Sequence, residues 1–160
     1  MKRAQTQFKL EKTIWTEKDF DKMIWHDNPI HAFTYSNNFE IIFDIDYTFE
    51  WILEGNKYKF WIAPCTLIFE NVYDLVFDIG PTTPEMTIDF ITKENPQIPK
   101  NSKYIKRETE FDWIIEMQEG TISFKSVGYK QYVRQSPQLL KTQILSNLER
   151  GYTSFDRKSF

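Results

Sequence analysis

The sequence predicts an α+β fold: a mainly antiparallel sheet, curved or rolled into a partial barrel, of about seven to eight strands, with one N-terminal and one C-terminal helix. Three observations carry this. Apolar and polar residues alternate with a period of two from residue 39 to residue 124, helical spacing is confined to capped windows at either end, and the alternating runs are joined by short connections. Short connections favour antiparallel neighbours, because parallel ones need crossovers of roughly a dozen residues or more.

The first helix is expected over residues 17–25. Thr16 can cap the N3 amide and Asp19 can close a capping box, while Trp15 and Phe20 stand where a hydrophobic staple would form. Phe20, Met23 and Ile24 then share one face at helical spacing. From Phe39 the period changes: Phe39, Ile41, Phe43, Ile45 and Tyr47 alternate with Glu40, Ile42, Asp44 and Asp46, a strand with one buried and one mostly polar face. Glu54-Gly55-Asn56-Lys57 reads as a two-residue hairpin, setting Glu54 against Lys57 and Trp51 against Phe60. The alternation continues through Leu67 and Phe69, then Leu75, Phe77 and Ile79, then Met86, Ile88 and Phe90. The polar stretch from Thr92 to Ser102, broken by Pro96 and Pro99, reads as a long loop. A hairpin at Glu119-Gly120 is expected to pair Met117 with Ile122 and Ile115 with Phe124. The second helix is expected to start at Ser136-Pro137 and stop at Arg150-Gly151, with Leu140, Ile144 and Leu148 as its inward stripe.

These elements make a single globular domain over 1–160, with 1–13 and 152–160 as loose ends. Phe, Tyr and Trp make up 17% of the chain, which argues for an aromatic core. Phe39, Phe43, Trp51, Phe60, Phe77 and Phe124 are expected inside it, and Tyr129 and Tyr132 on the surface. No apolar run approaches the roughly 20 residues of a membrane span, and no apolar leader follows Met1, so a cytoplasmic location away from membranes is expected. Cys65 is the sole cysteine, which excludes an intramolecular disulfide, and its apolar strand context suits a buried residue rather than a nucleophile. The net charge of −3 conceals a division: residues 39–94 carry 11 acidic and 3 basic side chains, residues 97–160 carry 7 acidic and 11 basic. Either the two segments turn these charges toward each other and toward water, or the acidic one faces a basic partner.

Two stretches hold candidate sites. Trp25-His26-Asp27-Asn28-Pro29-Ile30-His31 contains both histidines and a carboxylate, and Asp44-Ile45-Asp46 on the next strand could add oxygen ligands. His26, Asp27, His31, Asp44 and Asp46 therefore form a candidate metal or acid/base cluster, since imidazole and carboxylate suit a divalent ion. The same residues also have a local reading, in which Asp27 and Asn28 satisfy turn amides before Pro29 and Asp-x-Asp is a solvated strand face. The second stretch interleaves Lys125, Lys130 and Arg134 with Tyr129 and Tyr132, a candidate interaction surface. Nucleic acid is disfavoured as its target by a pI near 5.5. Neither GxGxxG, a P-loop, HExxH nor Gly-x-Ser-x-Gly occurs, and no catalytic residue or cofactor is implied.

Trp25-His26-Asp27 with Ile30-His31, Asp44-Ile45-Asp46-Tyr47, Phe60-Trp61-Ile62-Ala63-Pro64, and Gly120-Thr121-Ile122 with Gly128-Tyr129 together resemble small uncharacterised bacterial proteins without an assigned activity. That resemblance implies no site residues. The function expected from the residues is protein binding in the cytosol, of which neutralising a toxin as an immunity protein is one form. The alternatives are a metal-dependent enzyme using the His/Asp cluster and a carrier enclosing a small ligand within the curved sheet.

Overall fold

The computed structural model describes residues 7–80, 82 and 84–160. Among these, ten strands form one sheet: β1 (Ile14–Thr16), β2 (Asn28–Ser36), β3 (Glu40–Glu54), β4 (Lys57–Glu70), β5 (Tyr73–Ile79), β6 (Met86–Gln97), β7 (Glu110–Met117), β8 (Gly120–Ser126), β9 (Gly128–Val133) and β10 (Gln138–Leu140). The order is β1-β9-β4-β3-β2-β6-β7-β8-β5, with β10 added to the edge of β4. Every pair is antiparallel.

Two corners fold this sheet over. β4 passes into β5 through Asn71 and Val72, β8 passes into β9 through Val127, and one register runs across both, from Phe69 opposite Tyr129 to Tyr73 opposite Lys125. Ser126 Oγ donates to the Glu70 carbonyl at 2.7 Å, holding the two corners together. The halves of the sheet consequently face each other without closing into a barrel. Rings fill the space between them. Phe69 of β4 lies 4.8 Å from Phe124 of β8 and 5.1 Å from Trp113 of β7, and Trp113, Tyr129 and Phe43 are all buried.

The predicted α+β class is corrected. Strand accounts for 55% of the protein and helix for 9%, so the fold is mostly antiparallel β. At the N-terminal end the Thr16/Asp19 capping box forms, but it opens a 3-10 helix over Glu17–Lys22. Met23 is already extended, with φ −104° and ψ 139°, so that Met23 and Trp25 enter the core while Ile24 stays exposed. Period two has replaced the helical period. The long C-terminal helix is absent too: Gln138–Leu140 pairs with β4, and helix resumes only in α2 (Asn147–Arg150). Its anticipated stripe has nothing to pack on, since Leu148 is 99% and Ile144 42% exposed. The stretch from Thr92 to Ser102, expected as a loop, is strand in its first half, since β6 extends to Gln97, and a further short helix, α1 (Ser102–Ile105), begins at its last residue.

The hairpin at residues 54–57 has the expected register. At the β7–β8 turn the register differs by two residues, with Ile115 opposite Ile122 and Trp113 opposite Phe124. Gly120 is drawn into the ladder at φ +140°, packed so closely on β5 that a Cβ would stand 2.0 Å from the Asp78 carbonyl oxygen. Phe39, Trp51 and Phe77, expected in the core, are 60%, 39% and 43% exposed, whereas Phe43 and Phe124 are buried. Phe39 sits in the β2–β3 turn at φ 58°, which takes it out of the strand alternation.

The outer face of β3 is covered rather than solvated. Ile41, Phe43, Ile45 and Tyr47 point to the aromatic core, but Ile42, Asp44, Asp46 and Thr48 are buried as well. Residues 134–157 lie over them, and the last residues are fastened: Arg157 grips Glu40 with two hydrogen bonds, at 2.8 and 2.5 Å, and the Phe160 amide donates to the Val133 carbonyl. At the other end, Val133 N–H donates to the Thr13 carbonyl and Phe8 packs on Trp61. Residues 1–6 of the expected loose end lie outside the described residues.

Candidate functional site

The five residues of the predicted His/Asp cluster fall into two groups. Asp44 and Asp46, two apart on β3, project from the same face and meet Arg150 as it leaves α2. Arg150 donates from Nη1 and Nη2 to the two Asp44 oxygens at 2.9 and 2.6 Å, and from Nε to Asp46 Oδ1 at 3.0 Å. Arg134 adds a 2.7 Å bond to Asp44 and another to Thr66 Oγ1, the Ser154 amide donates to Asp44, and the Leu145 amide and His31 Nε2 both donate to Asp46 Oδ2, the latter at 2.6 Å. Both carboxylates are fully buried. Burial alone would push the Asp44 carboxyl up, but hydrogen bonds from Arg150 and Arg134 outweigh it and hold the group below its ordinary range. Arg150 responds conversely: burial works against its charge, and Asp44 and Asp46 keep it firmly protonated. Every oxygen of the pair already accepts from a protein donor, so this arrangement is a fastening for residues 134–154 rather than an open site.

His26 and Asp27 lie elsewhere, in the turn before β2. Asp27 takes φ 60°, a conformation that Asp tolerates better than most residues, and its amide donates to the Ile88 carbonyl at 2.8 Å. Opposite, the β6–β7 register shifts between Ile88 and Phe90, and the intervening Asp89 is directed toward the turn. The donor atoms of His26, Asp27 and Asp89 all fall within 4.8 Å of one another, and among the described residues no other such group of three forms. His26 Nε2 is 3.3 Å from Asp27 Oδ2.

The predicted surface of Lys125, Tyr129, Lys130, Tyr132 and Arg134 is dispersed. Tyr129 is wholly buried among Trp25, Phe69 and Trp113. Arg134 belongs to the Asp44 network, and Lys125 is paired with Asp112 at 2.7 Å. Lys130 is half exposed beside Glu70, and Tyr132 is partly buried. Cys65 is enclosed in the core, and burial pushes its thiol up, the setting of a structural rather than a reactive cysteine.

An exposed apolar constellation belongs to the hairpin of β3 and β4. Beyond Ile45 on one side and Phe60 on the other these strands have, among the described residues, no partner but each other, so residues 50–59 stand out from the sheet as an arm. Trp51 faces Phe60 and Leu53 faces Tyr58 across the strands, placing all four on one side of the arm. Trp51 meets Phe60 edge-on at 5.2 Å and Tyr58 at 5.9 Å, and the His26 ring stacks on Trp51 at 5.9 Å. Trp51, Leu53 and Tyr58 are 39%, 59% and 48% exposed. At the arm's edge Glu54, Lys57, Tyr58, Lys59, Phe60 and Lys141 line an open groove of about 710 Å³.

No protein-family model, curated protein or solved structure matches the chain. The residues that build these sites are partly hidden in the sequence. Alternation places Trp51 and Phe60 opposite one another but assigns them to the core, because period two says which residues share a face and not whether that face is covered. Asp89 gives no signal, since a bulge is invisible to a strictly alternating pattern. Arg150 is legible only as a cation in a last helical turn.

Proposed function

We propose that the protein is a binding module that engages another protein through the β3–β4 arm. The supporting observation is the adjacency of Trp51, Leu53, Tyr58 and Phe60 on one side of a hairpin that the rest of the sheet leaves uncovered. Clustered Trp and Tyr side chains that are already rigid are the usual anchors of protein interfaces. A cytoplasmic immunity protein that masks a toxin is one form such a module takes. Among the described residues no helix is long and apolar enough to cross a membrane. The test is affinity capture from the native host at low and raised salt, with the captured protein identified, purified and bound again. Wild type retains it, and a Trp51→Ala/Tyr58→Ala variant with an unchanged melting temperature loses it. Equal retention by the variant, or no partner at any ionic strength, overturns the proposal.

A second reading is favoured by the convergence of His26, Asp27 and Asp89 beside Trp51. One imidazole nitrogen and two carboxylate oxygens suit a divalent transition metal, and three protein ligands leave a coordination position for water or substrate. Calorimetric titration with Zn²⁺ or Mn²⁺ checks it: saturable uptake lost in Asp89→Asn supports the reading, and no saturable uptake by wild type removes it.

A further inference from the structure

We infer that the edge of the arm receives an extended, acidic peptide segment as an additional strand beside Lys57–Lys59 of β4. The inference rests on the protein-binding reading of the arm and specifies the chemistry of its partner.

The backbone supplies the first argument. β10 pairs with β4 from Gln138 opposite Ile62 to Leu140 opposite Phe60, and then the chain leaves the edge, crossing toward β3 where Gln143 bonds Thr48. Among the described residues Lys57, Tyr58 and Lys59 pair only with β3, on their other side. A row of unpaired backbone groups beside an existing strand is a template for strand addition. The incoming segment would occupy the line that β10 vacates.

Charge supplies the second. Three lysines, Lys57, Lys59 and Lys141, meet one acid in the groove, Glu54, which is itself paired with Lys59 at 2.6 Å. Lys57 and Lys141 have no ion-pair partner among the described residues. Three of the eleven acids in residues 39–94, Glu40, Asp44 and Asp46, are neutralised by Arg157, Arg134 and Arg150 on the far side of β3 and do not offset this local positive charge. Carboxylates alternating along an extended peptide would reach Lys57 and Lys141, and an intervening apolar residue would meet the stacked Tyr58 and Phe60 rings, 6.5 Å apart. The free strand edge favours a peptide over a nucleic acid, which would use the rings and lysines but not the backbone.

The test uses fluorescence anisotropy of labelled nine-residue probes on the full-length protein: Glu alternating with Val and Tyr, the same peptide with Lys for Glu, the same with alternate backbone nitrogens methylated, and an oligothymidylate. The Glu peptide is expected to bind saturably, with a Kd raised roughly tenfold in Lys57→Glu/Lys141→Glu, from two partly exposed charge pairs reversed in sign. N-methylation is expected to abolish binding, and amide resonances of residues 57–59 to shift on addition of the Glu peptide. Equal affinity for the Lys peptide, indifference to N-methylation, lysine-dependent binding of the oligonucleotide in place of the peptide, or no binding of any probe each overturns the inference. If the probes fail while a host protein is still captured through Trp51 and Tyr58, the acidic strand alone is lost and the binding arm stands.

Discussion

Replacing Arg150 by Met removes three hydrogen bonds from Asp44 and Asp46 and leaves two buried carboxylates side by side on one face of a single strand. Breaking a buried ionic set on one side costs about 3–5 kcal/mol, and that loss is expected in urea unfolding of Arg150→Met. Lys at this position keeps the charge but cannot reproduce the fork, so Arg150→Lys is expected to fall between the two. The pH dependence follows from the same atoms. Asp44 is depressed below its ordinary 3.8 in the folded protein, so its contribution is complete above that unfolded value and is lost as pH falls through the folded one. The thermal midpoint is therefore expected to decline below about pH 4, and the acid-side decline to be shallower in Asp44→Asn, a variant less stable at neutral pH. Equal acid-side slopes in the two proteins would count against this assignment.

At the level of elements, two hairpins separate backbone strain from collision. Gly55 has φ +66° with nothing within 4 Å of the point a Cβ would occupy, so Gly55→Ala is expected to cost only about 1 kcal/mol. Gly120 has φ +140° and the Asp78 carbonyl in the way, so Gly120→Ala is expected to exceed about 3 kcal/mol and to detach β5 from β8, visible as faster amide exchange at residues 76–79. The C-terminal stretch gives the complementary case: Leu148→Ser, which a packed helix would not tolerate, is expected within about 0.5 kcal/mol of wild type. These contrasts show what is readable in the sequence. The turn at Gly55-Asn56 and the period of β3 declare themselves locally, because each depends on a few neighbouring residues, whereas the register at the β7–β8 turn is set by the packing of Gly120 on β5. Whether Ser136–Arg150 is helix depends on whether a surface waits to receive Leu140, Ile144 and Leu148. None does, while β4 offers an unpaired edge that takes up Gln138–Leu140.

For the molecule as a whole, part of the uneven charge along the chain resolves into internal pairing. Glu40, Asp44, Asp46 and Glu70 from the acidic segment meet Arg157, Arg134, Arg150 and Lys130 from the basic one. The division is evident from composition, but which acids meet which bases is not, because the partners lie up to 117 residues apart and no local pattern links them. The candidate sites are legible to the same limited degree: His26 and Asp27 are contiguous, whereas Asp89 joins them only through the fold. Removing residues 134–160 would uncover Ile42, Asp44, Asp46 and Thr48 together, and a chain ending at Val133 is expected to lose its near-ultraviolet circular dichroism and to aggregate; a monomer with the native spectrum would contradict this. The covering also sets an order in time. Asp44 is made 106 residues before Arg150. At about 5–20 residues per second a ribosome needs roughly 5–20 seconds to bridge that gap, during which β3 can find its hairpin partner but not its counter-charge. Until residues 134–157 arrive, two unpaired carboxylates on one face of this hairpin make it costly for that face to bury itself against a neighbouring chain.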